Sequence, residues 1–227
     1  RELESFAYTV AHDLRAPVRA MTGFAAILLE DTRSLSGDSR HIARRIVDAG
    51  QRMDRLLQDL LAYSRLSRED LPLSPVDLAA LCSGVLSDLR GEIAQRGADV
   101  VVRGGLPVVL GHTIPLTVAL NNLLSNALKF VAPGTLPRVE IGAERRDGFV
   151  RLWIQDNGIG VPSEYREKIF GVFERLHGQE DYPGTGIGLA LVRRAAERMG
   201  GAAGLESTPE PGSRFYLDLV PASPPRI

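Results

Sequence analysis

Apolar and small residues near the start of the chain recur at intervals of four and three. Leu3, Ala7, Val10, Leu14, Pro17, Met21, Phe24 and Leu28 make one such series. That spacing predicts a helix with a seam of coiled-coil period. The series stops near Leu29, and Thr32-Arg-Ser-Leu-Ser-Gly-Asp-Ser39 supplies turn and capping residues. A second helix is predicted from Ile42, Ile46, Ala49, Met53, Leu56, Leu60 and Tyr63, with Leu57 and Leu61 widening its stripe beyond what one partner helix covers. A hairpin of two such helices leaves apolar surface over. A homodimer that closes a four-helix bundle is the expected arrangement, and packing of the hairpin on the rest of its own chain is the alternative.

The texture changes after Leu71-Pro-Leu-Ser-Pro75, which reads as a linker. Beyond it a helix is expected from Asp77 to about Gln95, then strands at Asp99–Val102 and Pro107–Leu110. A helix ending near Phe130 follows, then strands at Arg138–Ala143 and Phe149–Gln155. A helix from Leu189 to Met199, stopped by Gly200-Gly201, precedes strands at Ala203–Glu206 and Arg214–Val220. Interleaved helices and mostly hairpin-connected strands predict a mixed sheet covered on one face. The expected organisation is α+β: a helical hairpin over 1–70 and an α/β sandwich over 71–227.

Composition narrows the function classes. Of 227 residues, 44% are hydrophobic and 24% charged, the balance of a globular chain. Lys and Arg number 27 against 28 Asp and Glu, a net charge of −1, which argues against a nucleic-acid partner. With Cys82 the one cysteine, no internal disulfide or cysteine-rich metal site is available. No apolar run approaches the roughly 20 residues that span a bilayer, so a soluble, intracellular chain is expected.

The first candidate for chemistry is His12. Counting from the seam, it lies two positions after Val10 and two before Leu14, farthest from the apolar stripe, so its imidazole is expected in solvent. A neutral imidazole is a competent nucleophile near pH 7. Asp13 is placed to hydrogen-bond one ring nitrogen and leave the other free to attack. Pro17, in the helix interior, costs a hydrogen bond and introduces a bend or soft point nearby.

Three further clusters suit a nucleotide. Asn122, Asn126 and Lys129 fall on one helical face, where amide oxygens suit Mg²⁺ and an ammonium suits phosphate. Asp156-Asn-Gly158-Ile-Gly160 follows an apolar strand, and an acid there can accept a hydrogen bond from an exocyclic amine such as adenine offers. Gly184-Thr185-Gly186-Ile-Gly188 opens a helix whose N-terminal N–H groups can meet phosphate. Between these, Phe170 and Phe173 read as an anchor for a polar, glycine-bearing lid that contains Arg175.

In this order the motifs resemble the catalytic core of bacterial two-component sensor histidine kinases, over essentially the whole chain. Phe6-Ala-Tyr-Thr-Val-Ala-His12-Asp-Leu-Arg-Ala-Pro17 resembles the phospho-acceptor box, and Asn122 to Lys129 the asparagine box. The two Gly-Ile-Gly clusters resemble the glycine boxes, Phe170 with Phe173 the phenylalanine box, and Gly212-Ser213-Arg214-Phe215 the closing glycine motif. The wording around His12 and in the lid is most similar to bacteriophytochrome-type kinases, which carry cytoplasmic sensor domains. The resemblance implies a Bergerat-type (GHKL) ATP-binding domain, like those of gyrase and HSP90, behind a dimeric phosphotransfer hairpin.

By that resemblance His12 accepts the γ-phosphoryl group of ATP, with Asp13 as its activating acid. Asn126 and Asn122 would serve Mg²⁺, Lys129 and Arg175 would meet phosphates, and Asp156 would read adenine. The group would pass on to an aspartate in the receiver domain of a response regulator. A cytoplasmic homodimer with a sensor domain upstream of this segment is implied, while transfer within or between subunits stays open. The alternatives are an ATP-binding dimeric scaffold without phosphotransfer, and an ATP-driven machine like the gyrase and chaperone relatives. Two positions depart from the family pattern. Ala16 stands where many relatives carry Thr or Asn, which predicts weaker phosphatase activity toward the partner. His112 stands where Asp is common, ahead of the asparagine-box helix, which it is expected to weaken.

Overall fold

A computed structural model describes residues 2–30, 36–68, 72–176, 178, 182, 184–207 and 211–222, with side chains among 2–13 and at 30, 67 and 68 left out. The chain divides into two compact units, Arg1–Arg68 and Glu69–Ile227. The first unit is a pair of long helices, α1 (Glu2–Glu30) and α2 (Gly37–Arg68). Residues 31–35, part of the segment expected to turn, and the side chains of His12 and Asp13 lie outside the described residues.

The helices pack antiparallel, for Val18 meets Leu57 and Leu61 while Thr22, further along α1, meets Gly50, earlier on α2. The buried stripe is therefore Val18 and Ala25 on α1 against Ala43, Leu57 and Leu61 on α2. Of the series that the periodicity singles out, Leu60 packs against this cluster, but several members lie away from it. Leu14, Met21, Phe24 and Leu28 stay exposed, Phe24 at 68%, and so do Ile42, Ile46 and Met53. Each helix thus carries two apolar stripes. Leu57 and Leu61, read from the sequence as a surplus, are the side chains that close the hairpin, packed on Val18 of α1.

The second unit begins with β1 (Ser74–Asp77), which occupies part of the segment expected to be a linker. Pro75 fits there because β1 is an edge strand, where a missing N–H costs no ladder bond. Asp77 then caps α3 (Leu78–Asp88), accepting from the N–H groups of Ala79 at 2.8 Å and Ala80 at 3.2 Å. The single helix expected to about Gln95 is broken at Leu89, and α4 (Arg90–Arg96) follows, closed by the left-handed Gly97. Next come β2 (Asp99–Arg103), β3 (Val108–Gly111), α5 (Thr113–Lys129), β4 (Arg138–Arg146) and β5 (Phe149–Asp156). After the segment around Phe170, α6 (Gly188–Arg198), β6 (Ala202–Glu206) and β7 (Arg214–Pro221) complete the unit.

The strands form a seven-stranded sheet in the order β1-β3-β7-β5-β4-β2, with β6 beside the first part of β7. β2 runs parallel to β4, and the other pairings are antiparallel. Alternate residues Val139 and Ile141 of β4, Val150, Leu152 and Ile154 of β5, and Phe215, Leu217 and Leu219 of β7 are buried. They meet Leu116, Leu120, Leu123, Leu124 and Leu128 of α5 and Leu191 and Val192 of α6. The opposite face carries Arg151, held by both oxygens of Asp218 at 2.7 Å and by Glu206 at 2.6 Å, with its guanidinium over Tyr216.

His112 occupies the N-cap position of α5 but makes no side-chain cap bond, and its buried Nδ1 has no hydrogen-bond partner. An acid at this position would accept from the free N–H groups of the first turn and favour the positive end of the helix dipole. His112→Asp is expected to stabilise the unit by about 1 kcal/mol, a rise in Tm of about 2–4 °C by thermal unfolding.

Candidate active site

The C-terminal end of the interior strand β5, the C-terminal half of α5 and the loop entering α6 hold the predicted residues of the second unit close together. Asp156, the last residue of β5, is 8% exposed. Its Oδ1 accepts the N–H of Gly158 at 2.8 Å and of Ser213 at 3.1 Å, and its own N–H donates to Ser213 O at 2.9 Å. Burial pushes its carboxyl up from 3.8 to about 6, against the pull of the two N–H bonds. Both bonds fall on Oδ1, so Oδ2 is the acceptor available to a donor of matching shape.

The glycine loop is tied to α5 at close range. Ile159 N–H donates to Phe130 O at 2.9 Å, and a Cβ on Gly158 would lie 2.2 Å from that same oxygen. Only glycine lets the loop sit there. Asn157 fixes the other side: its Oδ1 accepts Arg138 N–H at 2.8 Å, and its Nδ2 donates to Leu136 O at 3.0 Å. Gly160 and Gly212 both take positive φ where the two loops touch.

On α5, Asn122 donates from Nδ2 to Val118 O at 2.8 Å, which turns its Oδ1 outward beside Gly188 at the start of α6. Asn126 is half-buried one turn later. Lys129 lies close to Gly184, its Nζ 4.1 Å from the centre of the Phe130 ring. Burial pulls its ammonium down to about 8, Arg175 and Arg96 push the same way, and Glu92 opposes them. Lys129 and Arg175 both lie against Gly184, which puts two positive charges at the glycine loop, a setting suited to a polyanion, while Arg96 is paired with Glu92 at 2.9 Å.

Arg175 reaches carbonyls rather than open space: its guanidinium donates to Gly184 O, to Tyr182 O at 2.9 Å and to Gly178 O at 3.3 Å. It organises the loop in which it sits. Gly186 O accepts Phe173 N–H at 2.9 Å, and Thr185 Oγ1 lies 3.4 Å from Ile187 N. The expected pair of anchoring phenylalanines is corrected to one. Phe170 is buried between Arg193 and Phe215, whereas Phe173 is 60% exposed at φ 68°. Phe173 gives its N–H to the glycine loop and leaves its ring outside.

Sequence reasoning gives no role to three residues that build this site, although Ser213 and Asn157 fall inside its motifs. Ser213 supplies the second donor to Asp156, Asn157 braces the loop, and Tyr182 donates its hydroxyl to Val131 O at 3.1 Å with its ring against Phe130. Asn157 was legible in principle, as a side chain able to make turn bonds next to the functional acid. The other two depend on contacts between distant segments. Among the described residues no group of three or more His, Cys, Asp or Glu could hold a metal ion. No described helix is long and apolar enough to cross a membrane.

Residues 2–69 match the His Kinase A (phospho-acceptor) domain, and residues 111–224 match the histidine kinase-, DNA gyrase B-, and HSP90-like ATPase family. The phytochrome-like protein Cph1 of Synechocystis sp. is 31% identical over 96% of this chain and 29% of its own length. The methanogenesis regulatory histidine kinase FilI of Methanothrix harundinacea is 36% identical over 96% of this chain and 24% of its own. The chain thus spans about a quarter of the length of these curated relatives. Among solved structures, full-length ShkA in complex with AMPPNP superposes with a TM-score of 0.73 at 30% identity, over 98% of this chain and 47% of that one. The mycobacterial sensor histidine kinase MprB gives 0.56 at 29% identity, over 66% of this chain and 99% of its own. The chain belongs to the histidine kinase-, DNA gyrase B- and HSP90-like ATPase family and, with a phospho-acceptor hairpin preceding that domain, is the catalytic core of a sensor histidine kinase.

Proposed function

We propose that this chain transfers the γ-phosphoryl group of ATP to His12 and passes it on to an aspartate in the receiver domain of a response regulator. One observation supports this above the others. A helix bearing His12-Asp-Leu-Arg-Ala-Pro17 is joined in one chain to a domain where a buried carboxylate and the cations Lys129 and Arg175 surround two glycine loops. In the proposed step an imidazole nitrogen forms a bond to the γ-phosphorus, the bond from that phosphorus to the β,γ-bridging oxygen breaks, and ADP leaves. Asp13 accepts the hydrogen bond of the other ring nitrogen and stabilises the cation formed.

Asp156 accepts from the exocyclic amine of adenine, Lys129 balances phosphate charge, and Arg175 holds the lid loop in shape. Gly158, Gly160, Gly184, Thr185, Gly186 and Gly188 let the backbone approach the nucleotide. The Asn122 amide fits Mg²⁺, since Val118 takes its N–H end and the oxygen is presented; Asn126 offers a second amide one turn on. The metal, arriving with the nucleotide, would neutralise phosphate charge. A cytoplasmic location follows from the need for ATP.

The exposed apolar series of α1 and α2 supports a dimer in which two hairpins close a four-helix bundle. Incubation with γ-labelled ATP and Mg²⁺ tests the reading. Acid-labile, base-stable label is expected on the wild type and absent from His12→Gln, with nucleotide binding kept. Unlabelled wild type would favour a scaffold, and rapid ATP hydrolysis surviving in His12→Gln would favour an ATP-driven machine.

A further inference from the structure

We infer that Asp54 of α2 is a positioning residue for the phospho-acceptor segment, clamping α1 on both sides of Pro17; the inference rests on His12 being the acceptor. Asp54 Oδ1 lies 3.9 Å from Arg15 Nε and 3.5 Å from Arg19 Nε. Its other oxygen accepts from Gln58 Nε2 at 2.7 Å. Arg15 and Arg19 stand one turn apart on α1, with Pro17 between them. A proline inside a helix gives no N–H to the carbonyl of residue 13, and its ring crowds that turn, so α1 is weakest here. One carboxylate from the neighbouring helix therefore spans the weak point, holding the turn that carries His12 through Arg15 and the following turn through Arg19.

The character of the contact suits this role. Arg15 Nε and Asp54 Oδ1 are both buried, yet neither makes a hydrogen bond. A carboxylate oxygen shielded from water but not hydrogen-bonded is held by the two positive charges alone. Removing its charge frees both arginines while leaving helix packing in place, because Val18, Leu57 and Leu61 close the hairpin beside it. The nearby Thr22 hydroxyl does not compete, being spent on Val18 O at 2.8 Å. Phosphoryl transfer requires the attacking nitrogen to be held in line near the phosphorus, and a misplacement of about 1 Å costs about 100-fold. A clamp on the turn after His12 therefore acts on rate, not on nucleotide affinity.

The test is Asp54→Asn, which keeps the shape and still accepts from Gln58. At saturating ATP the rate of His12 labelling is expected to fall about tenfold with KM for ATP unchanged. Amide exchange in peptides covering residues 8–16 is expected to quicken about tenfold. Asp54→Glu, which keeps the charge, should restore labelling to within about threefold of wild type, whereas a merely structural side chain would not be rescued. Wild-type rates and exchange in Asp54→Asn, a raised KM, or equal losses in Asp54→Asn and Asp54→Glu would each overturn the inference. Exchange reads the clamp without any phosphoryl transfer. An unlabelled wild type whose exchange still responds to Asp54→Asn would therefore sink the reading of His12 and leave the clamp standing as a restraint on α1.

Discussion

Asp156→Asn is expected to weaken ATP binding about 100-fold and yet to raise the melting temperature of the second unit. The asparagine can turn its oxygen to the N–H groups of Gly158 and Ser213, as the carboxylate does at 2.8 and 3.1 Å. Its amide then faces the adenine amine donor to donor. A charge-assisted bond is lost and a buried donor is left unpaired, together worth about 3 kcal/mol, or about two powers of ten in Kd. Stability moves the other way. The folded protein holds the Asp156 proton more tightly than the unfolded chain, with a value of about 6 against 3.8. Stability is therefore lost as pH rises between those two values, and above about 6 the buried charge costs the fold about 3 kcal/mol. The neutral variant escapes that cost.

Thermal unfolding should show Asp156→Asn melting several degrees higher at pH 7.5, with the gap closing toward pH 4. A variant that melts lower than wild type at pH 7.5 would show that its two N–H bonds outweigh desolvation. The same carboxyl shapes the pH dependence of binding. Wild-type affinity should decline below about 6 as Asp156 protonates, and above about 8 as Lys129 loses its proton. Calorimetric titration with an unhydrolysed ATP analogue across that range measures both limbs.

Gly158→Ala is expected to abolish nucleotide binding by a different route. The added methyl would lie 2.2 Å from Phe130 O and 2.8 Å from Asp156 Oδ1. The first is backbone at the end of α5, already accepting from Ile159, so it cannot swing aside. The loop must lift, taking the Gly158 N–H away from Asp156 and the Ile159 N–H away from Phe130. Destabilisation of about 2–4 kcal/mol follows from the clash and the lost bonds, a fall in Tm of about 5–10 °C. Binding should weaken by more than 100-fold even at temperatures where the variant stays folded. Tight binding by a folded Gly158→Ala would mean that the loop does not shape the nucleotide site.

Much of this was legible in the chain because it is local. The helices of the hairpin announce themselves by a repeat of three and four. The long strands β4, β5 and β7 show their alternation, and the glycine clusters show their need for close backbone approach. The broken helix at Leu89 and the edge strand at Ser74–Asp77 were not legible, for Pro75 argues against a strand unless an edge is available. Phe173 differs for a similar reason: an aromatic in a run beside Phe170 looks like core, and only the folded chain, where its backbone bonds Gly186 O, shows its ring exposed.

Periodicity and turn chemistry act over a few residues, so the sequence by itself determined the two-part architecture, the order of the motifs and the residue types offered for catalysis. Burial and pairing join residues far apart along the chain. The tertiary structure alone therefore decided which apolar stripe closes the hairpin, that Ser213 shares Asp156 with Gly158, and that Asp54 faces both arginines around Pro17.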